Sequence, residues 1–329
     1  MIKAIQCGLG PIGNLVTRYL LEREGVEIVG AIDIDPDKVG KDVGELAGER
    51  AVGVEVSDDA EGVMANSGAD AVILTTVSDL QVVRDQVLAI LEHGLSVVST
   101  CEELAYPWET DPAIGEEIDK AAKAAGAAVL GTGVNPGFLM DLLPVVFATV
   151  CRKVESVRVE RAQDAAFRRL PFQRKIGAGL TQDEFRRKMQ SGALRHVGLT
   201  ESMHMVAAKL GWKLDRTEDI VEPVVAERRV ATKDGAIEPG QCLGVSQIGL
   251  GMIGHRQAIT LVFEAYVGHP EPRDRVLVQG DPEIDSTIKG GVNGDIATCA
   301  IVVNSLASLV NARPGLRTMA DIEPPGFLR

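Results

Sequence analysis

The sequence predicts an α/β protein with a doubly wound parallel sheet, followed by a second, α+β domain with a mainly antiparallel sheet. Two observations predict this arrangement. Up to about residue 134, apolar strand-like runs alternate with amphipathic helix-like stretches, which is the β-α-β pattern of a parallel sheet. Beyond the Asn-Pro-Gly segment at 135–137, apolar and polar residues alternate over several stretches instead, which is typical of strands with one buried face.

The first 33 residues contain a glycine-rich turn between a strand and a helix. A strand over residues 2–6 leads into the turn, and a helix over 14–24 and a strand over Val26–Ile32 follow it. In such a Gly-x-Gly-x-x-Gly turn, the first glycine permits the bend, the second admits a pyrophosphate, and the third lets the helix pack closely. The phosphates lie at the helix N-terminus, where free N–H groups favour negative charge. We therefore predict a Rossmann-type dinucleotide site formed by Gly8, Leu9, Gly10, Pro11, Ile12 and Gly13.

Asp33 ends the second strand, 20 residues after Gly13. An acid at this distance accepts hydrogen bonds from the hydroxyls of the adenosine ribose. Its charge would repel a 2′-phosphate, so NAD is favoured as the cofactor. Lys38 and Lys41 follow closely and could weaken that preference, so NADP stays an alternative.

The alternation continues through strands predicted over 51–56, 69–76, 95–100 and 127–132, with helices over 78–93 and 116–125. The second part contains strands predicted over 154–161, 224–231, 241–248, 255–267 and 275–279, and helices over 181–191 and 200–210. A last helix, Gly294–Val310, is apolar over most of its length, so we expect it to be buried. We assign residues 1–134 to a dinucleotide-binding domain and 135–293 to a substrate domain, with 294–329 packing back onto the first.

Composition excludes several classes of function. The net charge of −13, from 34 basic and 47 acidic residues, argues against a nucleic-acid partner and against an anionic membrane surface. We find no apolar run of about 18 residues that would predict a membrane span, no export signal and no metal-binding motif. The odd number of cysteines and the lack of a Cys-x-x-Cys pair favour reduced thiols in the cytoplasm. The cysteines are Cys7, Cys101, Cys151, Cys242 and Cys299.

Further cofactor contacts are expected where other strands of the parallel sheet end. Ligands of an open α/β sheet bind beyond the carboxyl ends of its strands. Thr75, Thr76 and Val77 end one strand, Thr100 ends the next, and Asn135 lies beyond the last. We predict that these residues line the cofactor site together with the glycine-rich turn.

Glu102 and Glu103 directly follow an apolar strand, at the level where a nicotinamide ring would lie. Adjacent residues in an extended segment point in opposite directions, so we expect one of the two to face the cofactor cleft. A carboxylate there could bind an ammonium group and accept its proton as a general base, and we favour Glu102 for this role. The other glutamate would cap a helix or be solvated. Cys101 lacks a base nearby in the sequence, so we expect a buried thiol and not a nucleophile.

Residues of the second domain are candidates for contact with the substrate. Among the histidines, His196 is the one we expect to line a substrate pocket. The basic cluster around Arg168 and Arg169 is interpreted either as a solvated face or as a site for an acidic substrate.

Four segments of the chain carry a resemblance to a known family. They are residues 8–13, the Ser-Thr-Cys-Glu-Glu-Leu segment at 99–104, the Asn-Pro-Gly-Phe segment at 135–138, and Gly-Asp-Ile-Ala-Thr at 294–298. Together they resemble the 2,4-diaminopentanoate dehydrogenases and their close relatives, the native amine dehydrogenases. The resemblance implies the architecture of dihydrodipicolinate reductase, with a Rossmann domain and an α+β domain for substrate binding and dimerisation. This chain has no pair of adjacent histidines such as that reductase carries, so we set the reductase activity aside.

The resemblance implies a homodimeric enzyme that catalyses NAD(P)-dependent oxidative deamination of an amine, or reductive amination of a ketone with ammonia in reverse. In that family a glutamate at the strand end holds the amine beside the nicotinamide, and it corresponds here to Glu102 or Glu103. The resemblance also implies a pocket lined by residues after the Asn-Pro-Gly turn. These are Phe138, Leu139 and Met140, to which we add Phe167, Phe172 and His196.

Three alternatives stay open. The physiological substrate could be 2,4-diaminopentanoate, whose carboxylate would need a cation such as Arg168, Arg169 or Lys175. The enzyme could instead act on a hydroxyl or aldehyde group, in which case reduction of a ketone would not require ammonia. A non-catalytic NAD-binding sensor would bind the cofactor without turning over any amine.

Overall fold

In a computed structural model of the 329-residue chain, the structure describes residues 1–167, 170–190, 194, 196–232 and 235–329. The chain forms two compact units. The first consists of Met1–Phe138 and Asn293–Arg329, and the second of Leu139–Val292. The first unit therefore contains both ends of the chain.

The helices and strands are numbered in chain order. Residues up to 138 form β1 Ile2–Cys7, α1 Pro11–Leu21, β2 Val26–Ile32, α2 Val43–Leu46, β3 Val56–Ser57, α3 Ala60–Asn66, β4 Ala71–Leu74, α4 Leu80–Glu92, β5 Ser96–Ser99, α5 Pro112–Ala125 and β6 Ala128–Gly131. The second unit forms α6 Leu142–Ala148, β7 Lys153–Asp164, α7 Leu170–Lys175, α8 Gln182–Gln190, α9 Leu199–Lys209, β8 Arg216–Val225, β9 Val230–Thr232, β10 Gly235–Ile237, β11 Cys242–Ile253, β12 Arg256–Tyr266, β13 Arg273–Asp281 and β14 Ile284–Lys289. The chain ends with α10 Gly294–Val310 and β15 Gly315–Arg317, and single 3-10 turns lie at Glu103–Ala105 and Ala165–Phe167.

The first unit contains the predicted parallel sheet. Its seven strands lie in the order β15-β6-β5-β4-β1-β2-β3, and all of its strand pairs run parallel. The central strands are buried along their whole length, which explains why they are continuous apolar runs in the sequence. Because parallel strands end at the same edge, the turns after β1, β2, β4 and β5 lie together there.

The long apolar helix α10 belongs to this first unit. It packs against α1 and against strands β4, β5 and β6. Asn293 caps it, because its side-chain oxygen accepts hydrogen bonds from the N–H groups of Asp295 and Ile296. Contacts on several sides account for its apolar sequence. Within the described residues, we find no helix with the length and apolar content needed to cross a bilayer.

The second unit is built on a six-stranded sheet in the order β14-β13-β7-β12-β11-β8. Only β7 and β12 pair in parallel, and the other pairs are antiparallel, so the sheet is mainly antiparallel as predicted. Helices α6, α8 and α9 cover one face, where Val159, Leu261 and Phe185 join a common core. The other face carries Ile220, Ile248 and charged residues of β7 and β13.

The strand predicted over 224–231 is wrong. The structure has β8 at Arg216–Val225, and the chain then leaves the sheet before β9 begins at Val230. β8 is an edge strand with many exposed polar residues and Pro223, so it lacks the apolar alternation that marks a half-buried strand. For the same reason the exposed edge strand β14 was not predicted. The edge strand β15 has only three residues, too few to show a pattern, and the strand expected over 51–56 is observed only at Val56–Ser57.

Candidate active site

The glycine-rich turn has the backbone that a dinucleotide site requires. Gly8 has a φ of +87°, which favours glycine, and a Cβ there would lie 2.8 Å from the carbonyl oxygen of Thr75. A Cβ at Gly13 would fall on the carbonyl oxygen of Gly8, so only glycine lets α1 start this close to β1. A Cβ at Gly10 would meet no atom of the described residues within 4 Å, so this position offers open space to a pyrophosphate. The turn therefore fits the group that the sequence predicts.

Thr75, which directly follows β4, stabilises the glycine-rich turn by hydrogen bonds. Its hydroxyl donates to the carbonyl oxygen of Gly8 at 2.7 Å, and the fully buried Gln6 donates to that carbonyl at 2.9 Å and to the Thr75 hydroxyl at 2.8 Å. Thr76 instead donates its hydroxyl to Gln86, and Val77 is 44% exposed. Of these predicted residues, Thr75 is a support of the turn, whereas Thr76 and Val77 lie at the surface beside it.

Asp33 is tied to the same turn by its carboxylate. Its Oδ2 accepts from the Leu9 N–H at 2.7 Å and from Lys38 Nζ at 3.1 Å, and its Oδ1 accepts from the Asp35 N–H at 2.9 Å. Burial alone would raise the pKa of Asp33. The hydrogen bonds lower the pKa by more than burial raises it, so the net pKa lies below its usual value. Asp33 is therefore ionised, and it forms an ion pair with the ammonium group of Lys38.

The two glutamates after β5 have different surroundings. Glu103 Oε2 accepts from the Leu80 N–H at 3.1 Å, so this side chain caps the start of α4. Glu102 Oε2 is buried and has no hydrogen-bond partner in the part of the chain that the structure describes. A buried carboxylate oxygen without a donor is costly, so Glu102 is suited to receive a donor from a ligand.

Cys101 has the surroundings of a structural thiol. It is 1% exposed, and its Sγ lies 3.6 Å from the carbonyl oxygen of Ser78. Burial raises the pKa of this thiol to about 12, and the neighbouring Glu102 and Glu103 charges contribute. The thiol is therefore protonated at neutral pH, and the protonated form is a poor nucleophile.

The other predicted strand-end residues lie on the same edge. Thr100 donates its N–H to the carbonyl oxygen of Leu74 at 3.3 Å. Asn135 is 7% exposed and belongs to a tight turn with a cis Asn135–Pro136 peptide. Thr298 of α10 holds that turn, since its hydroxyl accepts from the Val134 N–H at 3.1 Å. The turn is thus fixed by a residue distant in sequence.

The predicted pocket residues separate into distinct groups. Phe138 is partly buried at the end of the first unit, and Leu139 and Met140 are buried at 1% and 0% exposure. Phe172 and His196 do come together, at a cavity of about 40 Å³ inside the second unit. Phe167 is described only as part of the 3-10 turn, and Arg168 and Arg169 lie outside the described residues. The cavity is lined by Phe172, Lys175, Ile176, Leu194, His196, Val245 and Phe263.

His196 is a neutral group in this cavity. Its ring stacks on Phe263 with 4.4 Å between ring centroids and 17° between planes. Burial lowers the pKa of His196 to about 3, and the positive charges of Lys175 and Arg161 act in the same direction. Phe263 and Val245 were not predicted as lining residues, whereas Lys175 was named from the sequence as a possible cation for a substrate carboxylate. The alternation of β12 predicts one inward face but not which inward residue meets a cavity.

Similarity to known proteins assigns the family. The model of the 2,4-diaminopentanoate dehydrogenase C-terminal domain matches residues 138–328. A 2,4-diaminopentanoate dehydrogenase of Acetoanaerobium sticklandii is 34% identical over 98% of this chain and 94% of its own length. The chain belongs to the 2,4-diaminopentanoate dehydrogenase family. The predicted family and the predicted class of enzyme, an oxidoreductase with a nicotinamide cofactor, are thereby confirmed.

Other similarities agree with this assignment. The N-terminal model of dihydrodipicolinate reductase matches residues 2–102. An amine dehydrogenase of Streptomyces virginiae is 24% identical over 98% of this chain and 96% of its own length. The solved amine dehydrogenase of Mycobacterium smegmatis superimposes with a TM-score of 0.85 at 26% identity, covering 100% of this chain and 97% of that chain. The predicted fold class is confirmed in both of its parts.

A matched pair of glycine substitutions tests the turn of this family member. Gly13→Ala should lower the free energy of unfolding by roughly 1–3 kcal/mol, because its methyl group overlaps the Gly8 carbonyl. Gly10→Ala should leave thermal stability nearly unchanged and weaken NADH binding, because the methyl group enters the open space above the turn. Thermal unfolding and fluorescence titration with NADH measure the two effects. Unchanged NADH affinity in Gly10→Ala would contradict the assignment of that space to the pyrophosphate.

Proposed function

We propose that this protein catalyses NAD(P)-dependent oxidative deamination of a small amine, and in reverse the reductive amination of a ketone with ammonia. The names of its relatives support the reaction, since one is a 2,4-diaminopentanoate dehydrogenase and two are amine dehydrogenases. The buried oxygen of Glu102 without a hydrogen-bond donor carries the proposal at the level of residues. In balance, amine, NAD(P)⁺ and water give ketone, ammonia, NAD(P)H and a proton.

The chain supplies a carboxylate for the nitrogen of the substrate. Glu102 would accept a hydrogen bond from the substrate ammonium at its buried Oε2 and take its proton, which leaves the neutral amine. A cofactor held by the glycine-rich turn would supply the acceptor for the hydride of the amine carbon. Glu102 would then hold the resulting iminium in place until water adds to carbon and ammonia leaves. Glu103 is engaged with the N–H of Leu80 and supports the position of α4.

A specific observation favours 2,4-diaminopentanoate as a substrate to test beside simple amines. Lys175 lines the cavity of the second unit and forms no ion pair with any of the described residues. An ammonium group of this kind could bind the carboxylate of an amino acid. Arg168 and Arg169 remain candidates from the sequence alone.

We propose that NAD is the favoured cofactor and that NADP also binds. Asp33 is ionised and lies at the turn, where it can accept hydrogen bonds from the ribose hydroxyls. Lys38 stands 3.1 Å from Asp33 and 3.3 Å from Asp35, with a quarter of its side chain exposed. Its ammonium could turn toward a 2′-phosphate, which partly offsets the repulsion by Asp33. We further propose a cytoplasmic location, where reduced nicotinamide cofactors and free thiols both occur.

We also propose that two copies associate through the uncovered face of the six-stranded sheet. Ile220, Ile248 and Val262 are cross-strand neighbours on that face, and Ile220 is 41% exposed. Beside them, Glu160 pairs with Arg158 at 2.8 Å and with Arg273 at 2.9 Å. An apolar strip flanked by paired charges is typical of an interface between subunits.

Isosteric substitution of the two glutamates tests the catalytic role. Glu102→Gln should lower ammonium-dependent NADH oxidation with short ketones by roughly 10²–10⁴-fold, because the amide accepts no proton. Glu103→Gln should lose about 1 kcal/mol of stability from the start of α4 and keep its turnover. Both rates are measured with and without ammonium, alongside 2,4-diaminopentanoate oxidation.

The outcomes separate the alternatives. Loss of turnover in Glu103→Gln alone would move the role to Glu103. Turnover without ammonium would indicate a dehydrogenase for hydroxyl or aldehyde groups. Cofactor binding without turnover of any amine or ketone would support the sensor.

A lysine pair tests the cofactor preference. Lys38→Ala should weaken NADPH binding by roughly 10-fold or more and NADH binding much less, because only the 2′-phosphate needs this cation. Lys41→Ala removes an equal charge from the same loop and serves as the control. Fluorescence titrations with both cofactors give the ratios. Equal weakening of both cofactors by Lys38→Ala would contradict a role in accepting the phosphate.

A charge placed on the uncovered face tests the dimer. Ile248→Asp should convert a dimer to a monomer, because a buried unpaired carboxylate opposes association. Val82→Asp, at a 47% exposed position of α4, is the control and should not change the mass. Light scattering after size-exclusion chromatography gives both masses. A monomeric wild-type protein, or a dimeric Ile248→Asp, would refute this interface.

A further inference from the structure

One row of side chains crosses the helix-covered face of the six-stranded sheet. The register places Gln247 of β11 opposite Phe263 of β12, Phe263 beside Arg161 of β7, and Arg161 opposite Asp274 of β13. Arg161 and Asp274 are each 2% exposed and form an ion pair at 3.0 Å. At that end of the row the polar groups satisfy each other. At the other end of the row, Gln247 is fully buried, and its side chain forms hydrogen bonds to a residue outside the sheet.

Gln247 binds both main-chain polar groups of His196. Its Oε1 accepts from the His196 N–H at 2.6 Å, and its Nε2 donates to the His196 carbonyl oxygen at 3.0 Å. The same Nε2 donates to the carboxylate of Asp219 at 2.9 Å. These partners determine the orientation of the amide, because only its oxygen can accept from an N–H and only its nitrogen can donate to a carboxylate. The main chain at His196 is therefore fixed to the sheet.

This attachment sets the position of the His196 ring. The ring stacks on Phe263, which is the cross-strand neighbour of Gln247, so one strand pair holds both the main chain and the imidazole. The two rings form part of the wall of the cavity, together with Phe172 and Lys175. Its volume of about 40 Å³ is far below the roughly 150 Å³ that accommodates benzene, so a change of ring position alters a large share of it.

We propose that Gln247 is a positioning residue that determines substrate specificity. It holds the neutral imidazole of His196 against Phe263 and thereby limits the cavity to an alkyl group of methyl to ethyl size. The inference rests on the proposed function and on the prediction from the sequence that Phe172 and His196 line the substrate pocket. It assigns to this enzyme ketones and amines with a short alkyl group on the side of the reacting carbon that enters this cavity, and longer groups on that side are excluded by the wall that Gln247 maintains.

Gln247→Met tests the proposal, because methionine has a similar length and volume but forms neither hydrogen bond to His196. We expect the ratio of kcat/KM for 2-butanone to that for 2-hexanone to fall roughly 10-fold or more, with most of the change in KM. The affinity for NADH should not change. Gln279→Met is the matched control, since Gln279 is an exposed glutamine of the same sheet that pairs with Ser156. Its ratio should equal that of the wild-type protein.

The same substitution in a His196→Ala background separates positioning from general stability. If Gln247 acts through the imidazole, the added Gln247→Met should change the ratio by no more than about 2-fold. An equal change in both backgrounds would overturn the proposal, as would an unaltered ratio with a lowered unfolding temperature. Should Gln247→Met not fold, Gln247→Glu retains the acceptor for the His196 N–H and loses the donor, and the same ratios apply.

A spectroscopic measurement keeps this inference distinct from the proposed function. The stacked ring of Phe263 should shift the imidazole proton signals of His196, which are identified by their absence in His196→Ala. In Gln247→Met these signals should move toward ordinary positions, whether or not any ketone is turned over. Signals that do not move would overturn the positioning role. Moved signals in a protein without ammonium-dependent turnover would support positioning and count against the proposed reaction.

Discussion

The absence of a side chain at Gly13 is the constraint on which the first unit depends. Because no Cβ separates α1 from the Gly8 carbonyl, the helix begins directly against β1. Three further elements then bind the same turn: Thr75 from β4, Asp33 from β2, and Cys299 of α10, whose Sγ lies 3.8 Å from the Ile12 carbonyl oxygen. A loop held from several sides keeps its N–H groups in place for phosphate, without reorganisation when a ligand arrives.

The adjacent glutamates Glu102 and Glu103 differ in their hydrogen bonding because their surroundings differ. Both are carboxylates at the same strand end, yet Glu103 accepts from the Leu80 N–H at the start of α4, whereas Glu102 keeps a buried oxygen without a donor among the described residues. Removal of the Glu103 carboxylate would leave an N–H group at the start of α4 without its acceptor. The buried oxygen of Glu102, in contrast, would be stabilised most by a charged hydrogen-bond donor. The neighbouring thiol of Cys101 is kept protonated by burial, which agrees with the proposal that Glu102 is the reactive group of this segment.

In the second unit, side chains distant in sequence meet because strands align them. Gln247, Phe263, Arg161 and Asp274 come from four strands and form one row only in this register. A shift of any one of these strands by one residue would place its member of the row on the opposite face. The cavity beside His196 thus depends on strand pairing as much as on the residues that line it.

Local spacing and periodicity in the sequence predict the glycine-rich turn, the position of Asp33, the parallel sheet and the apolar helix α10. It also singled out Glu102 and Glu103, since both follow a buried strand. Which of the two caps α4 could not be predicted, because it depends on where folding places the Leu80 N–H. Likewise, Gln247 and Phe263 meet beside His196 through the register of β11 and β12, and α7 brings Lys175 to the same cavity. Edge strands such as β8 and β14 carry no apolar pattern from which they could be predicted.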